Sequence, residues 1–294
     1  MNEIHADGDP APLHRLFSGF SVFEKSEKAI QSEWQMLDRV MGIIEHGLRF
    51  ASNAIDLRAA FANEVAALCC LIRAYQGLQS GAQLAATGFY TDARAVIRGA
   101  YESGGLSRML AHDVPLAERW LRKAEWVPDR ASRDFAVALS GGDEEAKIPY
   151  QQYYKHASAY AHPSAKSSLP FLFSPDAEFR PRPYPVFDED ELRAVVYELT
   201  AEAIFVAYCF RNAMANDEIM DPRWHQDLAD VARAFTGGPM EHLEADWEAK
   251  QRNYEDFQTF VRPAEEIDEF LRGHPNAVNN VIARARNEDP DVAP

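Results

Sequence analysis

Apolar residues recur at intervals of three and four along most of this chain, which is the spacing of one face of an α-helix. The pattern predicts helices over the following residues: 28–48, 56–86, 90–112, 116–139, a segment that begins at Tyr150, 189–215 and 223–235. Several of these helices are rich in alanine and carry a single apolar stripe, as helices of a bundle do. We therefore predict an all-α fold, a helical bundle of about six main helices.

Changes of composition divide the chain into four parts. Residues 1–27 contain glycine and proline without a sustained period, so we expect them to be loosely ordered. Residues 28–217 are predicted to form the bundle domain, and 218–275 a helical C-terminal extension. Residues 276–294 are expected to be a disordered tail.

A proline-rich segment over 163–187 interrupts the bundle before its last main helix. It holds six prolines between Pro163 and Pro185, which predicts an irregular insertion. A small hairpin of 169–173 with 179–187 fits this segment. A loop this long is either a lid or a partner surface, or else a strap that covers one end of the bundle, and the sequence leaves these alternatives open.

A heptad pattern marks residues 240–261. Its positions are Met240, Leu243, Trp247, Lys250, Tyr254, Phe257 and Val261, which alternate in spacing between three and four. Such a helix either folds back on its own bundle or forms a homodimer or partner contact as a coiled coil. Both alternatives are open.

The net charge of −16 is concentrated in the C-terminal part, because the residues from Asp188 onward include 24 Asp and Glu but only 10 Lys and Arg. General DNA or RNA binding needs clustered basic residues, so we expect any RNA or nucleotide contact to be confined to a local pocket. The N-terminus lacks the pattern of a signal peptide, and no apolar run is long enough to cross a membrane. These features predict a cytoplasmic protein without membrane contact.

Cofactor signatures are missing from the sequence. The three cysteines, Cys69, Cys70 and Cys209, have no metal-type spacing, and we interpret all of them as reduced core residues. The histidines lack the spacing of metal ligands, and there is no phosphate-binding glycine loop or dinucleotide fingerprint. We predict neither a metal nor another cofactor.

Two helical segments carry most of the candidate chemistry. On one face of the helix over 90–112 lie Arg94, Arg98, Tyr101 and Glu102, and the segment that begins at Tyr150 carries Tyr154, Lys155, Ser158 and His162. Tyr154, Ser158 and His162 are four residues apart and share one side of their helix. If the two helices pack together, His162 becomes a general acid or base, Arg98 a phosphate clamp and Glu102 its orienting group. Arg94, Tyr101, Tyr154, Lys155 and Ser158 would then bind substrate.

A purely structural interpretation of the same residues is also open. Arg98 and Glu102 are spaced as an ordinary ion pair on a helix surface, which contributes about 0.5 kcal/mol or less to stability. His162 could cap the end of its helix through its ring nitrogens. Under this hypothesis the protein is a non-catalytic helical module that binds a protein partner.

The segments GFYTDARAVIRGAYESGGLSRML and YYKHASAYAHPS resemble a bacterial family of unknown function, DUF5677. Its members have a similar arginine and glutamate helix and a later tyrosine, serine, histidine and proline signature, and the resemblance covers about 50–216. That layout is similar in turn to the HEPN helical bundles, many of which are metal-independent ribonucleases with a nearby arginine and histidine. In this chain Lys155 stands upstream of His162 where those nucleases have arginine. The resemblance implies that Lys155 or Arg98 replaces that guanidinium, or that catalysis is lost.

Overall fold

The computed structural model describes residues 19–54, 61–122, 147–162, 184–214 and 220–237, together with the single residues 127 and 134. Within these residues the chain forms eight α-helices and no β-strand, which confirms the predicted all-α class. In chain order the helices are α1 (Phe20–Ala29), α2 (Gln31–Ala54), α3 (Ala62–Ala86), α4 (Tyr90–His112), α5 (Val114–Leu121), α6 (Lys147–Ala161), α7 (Glu189–Ala213) and α8 (Pro222–Thr236).

Helix α4 is the central element, and it contacts α3, α5, α6 and α7. Its close packing on α3 depends on small residues. A Cβ atom added at Gly77 of α3 would lie only 3.3 Å from the Cβ of Ala100, and one added at Gly81 would lie 3.4 Å from the side chain of Ile97. The two backbones therefore approach closely along this line, which leaves the other sides of α4 to α6 and α7.

The main hydrophobic core lies between α2, α3, α4, α7 and α8. Trp224 of α8 is only 1% exposed, and its indole nitrogen donates a hydrogen bond of 2.8 Å to the carbonyl of Ile43 in α2. The Trp224 ring also lies 5.3 Å from the ring of Phe210 in α7. Helix α8, which lies in the range 218–275 predicted to be a helical C-terminal extension, therefore packs on α2 and α7 through its buried tryptophan.

A smaller hydrophobic cluster joins α3, α4 and α5 around Leu110 and Leu116. Cys70 belongs to this cluster and Cys209 to the main core, and burial raises the pKa of both thiols to about 12. Cys69 is exposed. The prediction that all three cysteines are core residues is therefore wrong for Cys69, which points away from the bundle because its neighbour Cys70 points into it.

Helix α1 occupies part of the range that was expected to be loosely ordered. Val22 and Ser26, four residues apart, are buried on one side, whereas Phe20 and Phe23 are 65% and 43% exposed. With one apolar and one polar residue on its buried side, the helix has no clear hydrophobic period. The prediction for 1–27 is corrected from residue 20 onward, and residues 1–18 lie outside the described part of the chain.

Helix α7 begins at Glu189, which is also the first residue of the helix predicted over 189–215. The side chain of Asp188 accepts a hydrogen bond of 3.2 Å from the backbone N–H of Glu191, and three acidic residues occupy the first turn. The backbone N–H of Asp188 donates to the hydroxyl of Tyr90, 3.1 Å away, which joins the starts of α7 and α4.

The turn between α3 and α4 requires a glycine. Gly88 has a φ of 85°, and an added Cβ would lie 3.0 Å from the carbonyl oxygen of Val186.

Several predictions concern residues outside the described ranges. They are most of the helix over 116–139 beyond α5, most of the proline-rich insertion with its hairpin, the heptad segment 240–261 and the tail 276–294. Residues 184–187, the end of the proposed hairpin, are described and are not part of a strand. No described helix combines the length and the apolar character that crossing a membrane requires.

Two glycines of α2 offer a matched test of the packing between α2 and α7. We expect Gly47→Ala to lower the free energy of unfolding by about 1–3 kcal/mol, because the added Cβ would lie 2.7 Å from the buried Phe210 ring. Gly42→Ala should instead raise it by about 0.5–1 kcal/mol, since nothing lies within 4 Å of the added Cβ and alanine favours the helix. Urea unfolding of both variants measures the difference, and a stabilising Gly47→Ala would contradict this packing.

Candidate functional site

Helix α4 presents two arginines four residues apart, and the structure gives them different surroundings. Arg98 points to α6, where it contacts Tyr154 and His162. Arg94 points to α7, where it pairs with Glu191 and Glu198. The predicted single site is thus divided in two, an exposed cluster around Arg98 and a buried network around Arg94.

The first group, the Arg98 cluster, consists of Arg98, Glu102, Tyr154 and His162. The Nε of Arg98 donates to Oε1 of Glu102 at 2.9 Å, and one terminal nitrogen donates to the hydroxyl of Tyr154 at 2.8 Å. The other terminal nitrogen lies 3.2 Å from Nε2 of His162. The guanidinium also stands 4.8 Å from the centroid of the Tyr154 ring. The structure therefore brings together all three residues that were predicted to be catalytic.

The contact between Arg98 and His162 determines which ring nitrogen of the imidazole accepts a hydrogen bond. A guanidinium has donors and no acceptor, so Nε2 of His162 accepts this hydrogen bond and the ring proton of the neutral imidazole lies on Nδ1. His162 directly follows the last residue of α6 and is exposed. A ligand that competes for Arg98 would break this hydrogen bond and free the lone pair of Nε2. The exposed imidazole could then accept a proton from that ligand.

Arg94 is buried, with 8% of its side chain exposed. It donates to Glu191 at 2.7 Å and to Glu198 at 3.0 Å, and its guanidinium lies 4.8 Å from the centroid of the Tyr160 ring. Burial lowers the pKa of Arg94, but the attraction of Glu198 and Glu191 more than offsets this effect, so the pKa is raised overall. With two carboxylates on one guanidinium and the Tyr160 ring beside it, this group holds α4, α6 and α7 together.

The remaining predicted residues are distributed around the two groups. Tyr101 is 5% exposed and stacks on Phe205 of α7 at 5.1 Å, so it lies in the interior. Lys155 is exposed on α6. The hydroxyl oxygen of Ser158 is buried and has no hydrogen-bond partner among the described residues. The structure therefore joins neither Tyr101 nor Lys155 to the Arg98 cluster.

Residues of α7 and α6 that the sequence did not assign to a site complete the Arg94 network. Glu198 is largely buried, with 22% of its side chain exposed, and a carboxylate in such a position signals a cationic partner. The Nε2 of His156 lies 3.7 Å from Oε1 of Glu198. Its ring also meets that of Tyr160 edge to face at 5.3 Å. The partner of Glu198 is 104 positions away in the chain, so spacing could not have identified it.

Among the described residues, no group of three or more His, Cys, Asp and Glu side chains is arranged to hold a metal ion. Comparison with known proteins returns no family model, no curated protein and no solved structure that matches the chain.

Replacing the two arginines by methionine separates their roles. We expect Arg94→Met to lower the free energy of unfolding by about 1.5–3 kcal/mol, because it removes charged hydrogen bonds of a buried group. Arg98→Met should cost less than about 1 kcal/mol, since the partly exposed Glu102 and the exposed His162 can be hydrated instead. Urea unfolding at neutral pH compares the variants. Equal losses would show that the Arg98 cluster is as important for stability as the Arg94 network.

Proposed function

We propose that this protein is a HEPN-like helical domain of the cytoplasm that cleaves RNA or handles nucleotides without a metal ion. The observation that supports this proposal most directly is the 3.2 Å contact between Arg98 and His162, which come from different helices. A guanidinium binds an oxyanion by paired donation, and an imidazole transfers protons near neutral pH. In this proposal Arg98 of the neighbouring helix replaces the guanidinium missing at Lys155.

The geometry suggests how the proposed cleavage proceeds. An RNA phosphate takes the place of His162 at the terminal nitrogen of Arg98, which frees Nε2 to act as a base. Nε2 then takes the proton of the ribose 2′-hydroxyl, whose oxygen attacks the adjacent phosphorus. The bond from phosphorus to the 5′ oxygen breaks, and that oxygen takes a proton from solvent. Glu102 and Tyr154 keep the guanidinium in position throughout.

Electrostatics restrict this site to a local contact with the substrate. The charge of Arg94 is compensated by Glu191 and Glu198, so it adds no attraction for phosphate. Lys155 is exposed one residue after Tyr154 and supplies a further cation on α6. With a net charge of −16, the protein then binds a short stretch of RNA or a nucleotide and not nucleic acid in general.

One observation favours a second candidate, a non-catalytic module that binds a protein partner. All three nitrogens of the Arg98 guanidinium already have partners, namely Glu102, Tyr154 and His162. In that case the cluster holds α6 on α4 and has no substrate. The partner would bind the segment 163–187, or a second copy of the chain would bind through 240–261.

Cleavage of a mixed RNA pool by the purified protein in the presence of a chelator separates the two candidates. We expect wild-type cleavage to fall by about 100-fold or more in His162→Ala, because a general base contributes about that factor. His46→Ala is the matched control, since His46 is exposed on α2 away from the cluster. This control should cleave like the wild type.

The melting temperature of His162→Ala should stay close to that of the wild type, because His162 is exposed at the end of its helix. A folded His162→Ala protein that cleaves RNA as fast as the wild type would exclude His162 as the base. Absence of chelator-resistant cleavage by the wild type itself would support the non-catalytic candidate.

A further inference from the structure

A surface groove lies between α1, α2 and α3, away from the Arg98 cluster. Its volume is about 520 Å³, within the range of about 300–1,000 Å³ that is typical of small-molecule sites. Phe23 and Trp34 line one side, and Gln83 with two alanines of α3 lines the other. None of its described lining residues belongs to α4, α6 or α7, so it is a second site and does not depend on the proposed nuclease function.

The aromatic side of this groove is held in place before any ligand binds. The indole nitrogen of Trp34 donates a hydrogen bond of 2.9 Å to the backbone carbonyl of Ser26, which fixes the orientation of the ring. Trp34 also packs against the main core. Phe23, in contrast, is 43% exposed, so its ring is accessible to a ligand. The faces of such rings attract cations that carry methyl or methylene groups.

The polar residues of the groove indicate whether a ligand would be positively or negatively charged. Glu27, Gln31 and Gln35 follow one another at intervals of four residues along α1 and α2. Glu27 is the only ionisable residue among the described residues that line the groove, and the glutamines supply neutral amide groups. Glu27 is exposed, and its carboxylate attracts a cation and repels an anion at this groove.

We propose that the groove binds a small organic cation of the quaternary ammonium class. The methyl groups of the cation lie against Phe23 and Trp34, where dispersion and the cation–π attraction act together. Its positive charge faces the carboxylate of Glu27. The amides of Gln31, Gln35 and Gln83 bind a hydroxyl or carbonyl group in the rest of the ligand.

Binding of choline to the full chain, measured by calorimetric titration at constant ionic strength, tests the proposal. The neutral isostere 3,3-dimethylbutan-1-ol has the same shape without the charge, so we expect it to bind at least about fivefold more weakly. Glu27→Gln should weaken choline binding by about fivefold, the factor expected for one charge pair close to the surface. Phe23→Ala should weaken it by a similar factor, and circular dichroism checks that this variant folds.

Glu24→Gln is the matched control, because Glu24 is an exposed carboxylate of the same helix that does not line the groove. Its affinity for choline should equal that of the wild type. Three results would overturn the proposal: no saturable binding of choline, equal binding of the neutral alcohol, or equal weakening by Glu24→Gln and Glu27→Gln. Equal binding of the alcohol would assign the groove to an apolar partner.

Discussion

The close approach of α3 to α4 is the constraint on which the rest of the bundle depends. Gly77 and Gly81 let the α4 backbone come within contact of α3, where Ala100 and Ile97 fill the remaining space. Gly104 allows a similarly close approach between α4 and α7, because an added Cβ would lie 3.2 Å from the side chain of Val206. Helix α4 is therefore enclosed on several sides, and the polar residues that it carries are forced into contact with neighbouring helices.

Enclosure explains why two similar arginines differ in their chemistry. Arg94 lies where α7 covers α4, so its charge is desolvated and needs the carboxylates of Glu191 and Glu198. Arg98 lies one turn further on, at the edge, where α6 ends and solvent reaches His162. A buried pair of this kind stabilises the arrangement of helices, whereas an edge position leaves a guanidinium available to exchange partners. The same residue type thus takes a structural role in one place and a candidate binding role in the other.

Helix α6 is attached in an unusual way for a bundle helix. Among its residues 154–161 only Ala157 is buried, and its described contacts with α4 and α7 are mainly hydrogen bonds, ion pairs and cation–π contacts. Such contacts are weaker per unit area than apolar packing, and salt screens them. These polar contacts include Tyr154 and His162, the two residues that α6 and its C-terminal end contribute to the Arg98 cluster.

Much of the fold could be derived from the sequence because its signals are local. The helix over 90–112 has both of its predicted ends, and the acidic run at Asp188 starts α7, since capping and periodicity depend on neighbouring residues. The proximity of Arg98, Glu102, Tyr154 and His162 also followed from spacing, given that two helices pack together. The apolar character of a residue does not by itself predict its burial: Ile72 of α3 is 37% exposed, because the alanine-rich face of α3 packs on α4 instead. The partners of Arg94, the inclusion of α8 in the core and the groove beside Trp34 were decided only by the tertiary structure. Each of them joins residues that are distant in the chain, and no local pattern specifies which distant partner a buried charge or an apolar face will meet.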